Sequence, residues 1–250
     1  MRDAGSVAST AVPPSSDRAQ KQGLFRAQTH AAQTRRNSPP RRQATSEAQR
    51  RVLHVGCGLN SVTRLHPFFK LAQWSEVRLD IDHGTDPDIA GSIVDMRSFA
   101  EDESCDAIWA SHVLEHLLRH DVGKALCEFR RVLVPSGFAL IRTPDVESVA
   151  QFIVDGRIRE VVYTSPAGPI TPLDMLYGHS ASIERGASAM RHGTAFTQDS
   201  MAQDLLDAGF AELRVTRTDT FEVWAAAFMP EADIETILND LTRTGIDLRG

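Results

Sequence analysis

The sequence predicts an α/β protein built on a doubly wound, mostly parallel sheet, and three observations predict it. Short apolar runs alternate with segments of helical periodicity from Arg51 onward. The first of these runs ends in a Gly-x-Gly turn, and two apolar runs near the C-terminus flank a tight turn suited to an antiparallel hairpin.

The strands follow in order. "RVLHV" (51–55) runs into "GCG", "EVRLDI" (76–81) is the second strand, and "GSIVDM" (91–96) leads out of a short third. "CDAIWAS" (105–111) is the fourth and "GFALIRTP" (137–144) the fifth, stopped by Pro144. Each is too short and too evenly apolar for an amphipathic helix. Val122, Ala125, Leu126, Phe129, Val132 and Leu133 recur at helical spacing, with Asp121 as expected N-cap and Pro135-Ser136-Gly137 as the stop. Later, Thr197 is expected to cap a helix carrying Met201, Leu205 and Leu206 that ends at Gly209. "AELRVTR" and "TFEVWAAAF" form the hairpin around a two-residue turn at Thr218-Asp219, and Ile234, Ile237, Leu238 and Leu241 mark a last amphipathic helix.

Composition bounds the function. The 250-residue chain is 42% apolar and 24% charged, with no apolar run near the ~20 residues of a membrane helix. Cys57, Cys105 and Cys127 are an odd number with no C-x-x-C pair, so neither a disulfide framework nor a cysteine zinc site is expected, and a reducing, cytoplasmic compartment fits. Residues 1–50 carry nine Lys/Arg against three Asp/Glu, and residues 51–250 carry eighteen against thirty. With almost no periodic apolar positions, segment 1–50 is expected to be a disordered basic tail. It reads as dispensable, as similar to a transit peptide, or as an arm touching nucleic acid or anionic lipid.

Gly-x-Gly after a strand lets backbone approach a ligand, and the following helix offers unpaired N–H groups. A dinucleotide fold would want a further glycine where Ser61 stands, which disfavours NAD. Asp80, twenty-four positions after Gly56, ends the second strand, where a carboxylate can accept two ribose hydroxyls, and Asp82 is the alternative for that role. Asp95 and Met96 stand just beyond the third strand.

The order of elements, with "VLHVGCGLNS", "RLDID", "VDMRSF", "SHVLEHL" and "EFRRVLVPSGFALI", resembles the class I S-adenosylmethionine-dependent methyltransferases, most closely the methyltransferase type 11, ubiquinone-biosynthesis-like subgroup. The resemblance implies a Rossmann-like, seven-stranded sheet with a terminal antiparallel hairpin, and S-adenosyl-L-methionine as cofactor. It implies that Gly56, Cys57, Gly58 and Asn60 wrap the methionine part, that Asp80 or Asp82 takes the ribose, that Asp95 receives the adenine amine while Met96 packs on the ring, and that Ser111 lies at the fourth strand tip. The family usually has an acid where His54 stands and often glycine where Asn60 stands. The expected organisation is tail 1–50, methyltransferase domain 51–229 with an acceptor-side lid insertion at 145–197, and a C-terminal helix at 230–250.

His112, Glu115 and His116 also spell H-x-x-E-H, an inverted zinc-protease signature. A zinc protease needs all three on an established helix and a further ligand. The resemblance instead puts His112 in the loop above the fourth strand and Glu115 and His116 in the first turn of the next helix, so no metal site is expected. His112 is then the candidate general base near the methyl group, or a ring that merely bonds a loop carbonyl.

Base methylases of this fold usually carry [Asn/Asp]-Pro-Pro-aromatic where Ser111-His112-Val113-Leu114 stands here, so a small-molecule acceptor is expected and nucleic acid is not. Tyr177, His179, Arg191 and His192 in the 145–197 insertion are candidate acceptor contacts. "TPLDMLYGH" with "RHGTAFT" is similar to a bacterial methyltransferase subgroup of unassigned acceptor. Two other readings stay open: a non-catalytic cofactor-binding or scaffold protein of this fold, and an RNA-directed enzyme that uses the basic tail.

Overall fold

The computed structural model describes residues 49–59 and 64–249. All but the last two residues of the basic segment 1–50, and Asn60, lie outside the described residues. Seven strands form one sheet: β1 (Arg50–Val55), β2 (Trp74–Asp80), β3 (Ile89–Ala90), β4 (Cys105–Ser111), β5 (Leu133–Pro144), β8 (Glu212–Arg217) and β9 (Glu222–Phe228), in the order β3-β2-β1-β4-β5-β9-β8. The first five pair in parallel; β9 is antiparallel to both β5 and β8. A separate hairpin joins β6 (Tyr163–Ser165) to β7 (Gly168–Ile170). This is the expected Rossmann-like sheet.

Alternation of side chains along each strand divides the apolar residues between two layers. Leu53, Val55, Ile108, Ala110, Ala139, Ile141, Ala225 and Ala227 meet helices α1 (Arg119–Val132) and α5 (Gln198–Asp207) on one face. Val52, Trp109, Phe138, Leu140, Trp224 and Phe228 meet Phe68, Phe69 and helix α6 (Ile234–Arg243) on the other. Burial of both faces explains why the central strands read as apolar runs.

Several boundaries differ from expectation. Among the described residues, short 3₁₀ turns at Pro67–Lys70 and His83–Thr85 stand where helices were expected after β1 and β2. Helix α1 starts two residues before Asp121, which bonds Lys124 Nζ at 2.8 Å instead of capping. Pro135-Ser136-Gly137 does not separate helix from strand: β5 begins at Leu133, directly after α1, because Leu133 pairs with Cys105 across an irregularity in the β4 register. The C-terminal hairpin turn spans four residues rather than two, closed by Thr218 N–H donating to Glu222 O at 2.9 Å, with Phe221 at φ +64°. Thr197 caps α5 as expected, in a reciprocal capping box with Ser200. Leu206, expected to face inward, is exposed.

The 145–197 segment has more regular structure than its sequence suggests. Asp145 caps α2 (Val146–Val154), the β6–β7 hairpin follows, Thr171 and Asp174 form a capping box on α3 (Pro172–Tyr177), and α4 (Ser180–Glu184) completes it. Val149, Ile170 and Met175 give it a small apolar core of its own.

Candidate active site

The sheet winds outward in two directions from β1 and β4, so the crevice beyond their carboxyl ends is where a ligand binds in an open α/β sheet. The "GCG" turn and the Ser111-His112 loop both stand there. Gly56 (φ +61°) and Gly58 (φ +59°) are left-handed, a conformation that costs other residues roughly 1–2 kcal/mol. A Cβ on Gly56 would lie 2.6 Å from Val113 Cγ2, so the glycine lets the β1 loop close on the β4 loop.

Asp80 organises this turn. Its carboxylate accepts the N–H of Gly58 at 2.7 Å and of Asp82 at 2.9 Å, while Cys57 N–H bonds Leu79 O and the Arg78 guanidinium bonds Gly58 O. Asp80 is nearly buried; Asp82 is exposed and its side chain caps its own turn by accepting Gly84 N–H at 2.8 Å. Burial pushes the Cys57 thiol up, as for a packed cysteine. Asp95 is exposed beside Arg97. Met96 corrects an expectation: it is fully buried in the core below, its N–H held by Glu128 Oε2 at 2.6 Å, and it presents no side chain for stacking on a base.

At the tip of β4, His112 (φ +52°) has both ring nitrogens engaged: Nδ1 with Glu115 Oε1 at 3.1 Å and Nε2 with Glu222 Oε1 at 2.9 Å. Burial disfavours the charged ring, but hydrogen bonds to the two carboxylates outweigh it and push the imidazole up to about 9. Arg142 donates to Ser111 Oγ at 2.8 Å, pairs with Glu222, and lies over the Trp109 and Trp224 rings. Glu115 and His116 belong to a 3₁₀ turn at Leu114–His116, ahead of α1 rather than in its first turn. The H-x-x-E-H string is therefore not a helical ligand set.

Of the candidate acceptor contacts, Tyr177 and Arg191 are exposed. His179 is nearly buried with Nδ1 on Ser182 Oγ at 2.8 Å, and His192 Nδ1 bonds Met175 O at 2.9 Å. Only Arg191 and His192 are brought to the loop after β4, where Arg191 O accepts His116 Nδ1–H at 3.1 Å.

Residues 53–141 match the family model described as a methyltransferase domain, which spans β1 through β5 and the loops just described. The match covers 89 of the 250 residues, the part of the sheet that carries the glycine turn and the β4 tip. Solved structures similar to the chain include a SAM-dependent methyltransferase from Archaeoglobus fulgidus (13% identity, 73% of this chain and 87% of that chain, TM-score 0.47). Two others are the CurJ carbon methyltransferase (14%, 75% and 50%, 0.47) and the 1,6-didemethyltoxoflavin-N1-methyltransferase of Burkholderia thailandensis, solved with S-adenosylhomocysteine (14%, 72% and 70%, 0.44). No match is found among proteins of curated function.

The residues present fit S-adenosyl-L-methionine, the cofactor that the sequence resemblance implies. The left-handed glycine turn brings backbone to the crevice, and the carboxylates of Asp80 and Asp95 are acceptors of the kind that ribose hydroxyls and an exocyclic amine require. Sequence reasoning missed Arg142, Glu222 and Asp145. The first two had a signal: each is a lone charge in an apolar strand, "ALIRTP" and "TFEVWAAAF". Asp145 is fully buried, accepting N–H bonds from Glu147 and Ser148 and Arg217 Nε–H at 2.7 Å; nothing in "TPDVES" distinguishes it from an ordinary cap.

Proposed function

We propose that the chain is an S-adenosylmethionine-dependent methyltransferase that modifies a small-molecule acceptor held between the tips of β4 and β5 and the 145–197 segment. One observation carries this reading: the segment leaves β5 and folds back onto the β4 loop, with Val146 N–H on Phe196 O at 2.9 Å and the N–H groups of Gly193 and Thr194 on Glu115 O at 2.8 and 3.2 Å. An acceptor site enclosed this way suits a compact molecule and excludes water.

When bound, S-adenosylmethionine supplies an already activated methyl group, so the protein has chiefly to align the acceptor. Asp80 takes the ribose hydroxyls, Asp95 the adenine amine, and Asp82 shapes the turn beside them. His112, expected as a base, is instead a positioning residue, since no lone pair is left on a ring whose two nitrogens both face carboxylates. It ties the β4 loop to β9, with Ser111 and Arg142 in the same network. Tyr177 and Arg191 contact the acceptor, while His179 and His192 hold the segment in shape. The three cysteines are unpaired, which suits the cytoplasm. Among the described residues no helix is long and apolar enough to cross a membrane.

Incubation of a deproteinised small-molecule extract, total RNA and total protein with methyl-labelled S-adenosylmethionine tests the reading. Label is expected in the low-mass fraction. Transfer to RNA or protein alone would overturn it.

A further inference from the structure

Glu115, His116 and His192 form a cluster whose side chains take no part in methyl transfer in that reading. Glu115 is 2% exposed, and its Oε2 is buried without a hydrogen-bond partner. A buried carboxylate oxygen left without a partner is destabilising, because it has lost its water and gained nothing in return. Its other oxygen is held by His112 Nδ1, so the orphan is fixed in place.

The two histidines complement it. His116 donates Nδ1–H to Arg191 O at 3.1 Å and His192 donates Nδ1–H to Met175 O at 2.9 Å. Because a carbonyl only accepts, both rings carry their proton on Nδ1 and keep the lone pair on Nε2. A backbone carbonyl behind each ring is the arrangement that orients a metal-ligating histidine. The ring centroids are 5.0 Å apart at 66°, and the three residues offer ligand atoms within 4.8 Å of one another. Ligands ~2.1 Å from one ion lie ~3.4 Å apart around a tetrahedron, so small torsional movements close the set.

We infer that Glu115, His116 and His192 form a binding site for one divalent transition-metal ion, coordinated by the orphaned Glu115 oxygen and the two Nε2 atoms. Two imidazoles and one carboxylate suit zinc, and also ferrous iron or cobalt, above the oxygen-seeking magnesium and calcium. The ion clamps the 145–197 segment to the loop after β4, reinforcing the Gly193 and Thr194 bonds to Glu115 O. It does so through residues 77 positions apart in sequence, 115 and 192.

The test uses the full chain, stripped with a chelator and titrated with Zn²⁺ and, separately, Co²⁺. One equivalent of Zn²⁺ per chain is expected, with a rise in melting temperature and a visible d–d band for the Co²⁺ form. H192A and H116A should each lose the equivalent and the band, while an H83A/H120A variant at exposed histidines should keep both. E115Q would replace the charged acceptor of His112 with a neutral amide oxygen, so circular dichroism must first show it folded; the two histidine variants carry the test without it. Substoichiometric uptake by the wild type, or uptake unchanged in both H192A and H116A, would overturn the site.

Discussion

His112 Nε2 lies 2.9 Å from Glu222 Oε1, joining residues 110 positions apart across the tips of β4 and β9. A general base keeps a free lone pair; this ring is a strut. His112→Ala should therefore lower stability, by about 1–3 kcal/mol, since it strands the buried Glu115 carboxylate. Urea unfolding measures this, and a variant as stable as the parent but dead in turnover would restore the base.

Asp80→Asn should weaken S-adenosylmethionine binding by roughly tenfold to a hundredfold, through loss of a charged acceptor at the ribose and a weaker hold on Gly58 N–H. Asp82→Asn should leave affinity within about threefold, because the exposed Asp82 only caps its own turn and asparagine caps equally well. Calorimetry decides between them; the reverse ranking would move the ribose role to Asp82.

Alanine at the two glycines of the turn should not cost the same. At Gly56 the new Cβ meets Val113 Cγ2 at 2.6 Å and Cβ at 2.8 Å, a stiff β-branched side chain, whereas at Gly58 it meets only the end of the Arg64 side chain. Both pay the left-handed strain of about 1–2 kcal/mol, and Gly56→Ala should cost at least about 1 kcal/mol more in a denaturant melt. Equal midpoints would contradict the close approach of the two loops.

Asp174 gives a pH signature. Burial raises its carboxyl, but hydrogen bonds from Ser180 and Thr171 outweigh this and hold it down at about 2. A depressed carboxylate stabilises the folded state above its unfolded value of ~3.9, and that contribution fades as pH falls toward 2. The stability gap between the parent and Asp174→Asn should thus be full at pH 6 and shrink between pH 4 and 2. A gap that stays constant with pH would show that Asp174 acts without its charge.

The sheet was legible because its strands are buried on both faces, and the α5 cap because Thr197-Gln-Asp-Ser200 is a local signal. Crossovers were less so: after β1 and β2 the chain uses 3₁₀ turns stabilised by Phe68 and Phe69 packing and by the Asp82 cap, and tertiary contacts decide these, not periodicity. The glycine turn and Asp80 could be read from spacing along one chain segment. The strut could not, because Glu222 reaches His112 only through β9 insertion beside β5. The H-x-x-E-H string is silent for the same reason: His112 turns to Glu115 and Glu222, and the residue that joins Glu115 and His116 is the distant His192.

The place of β9 between β5 and β8 also bears on biosynthesis. A nascent chain can lay down β1 to β5 in order, yet Glu222 arrives only with β9, which must slot antiparallel beside an edge already formed. Until residue 228 has cleared the ribosome, His112 lacks its Glu222 partner and the tip of β4 stays untied from the sheet edge.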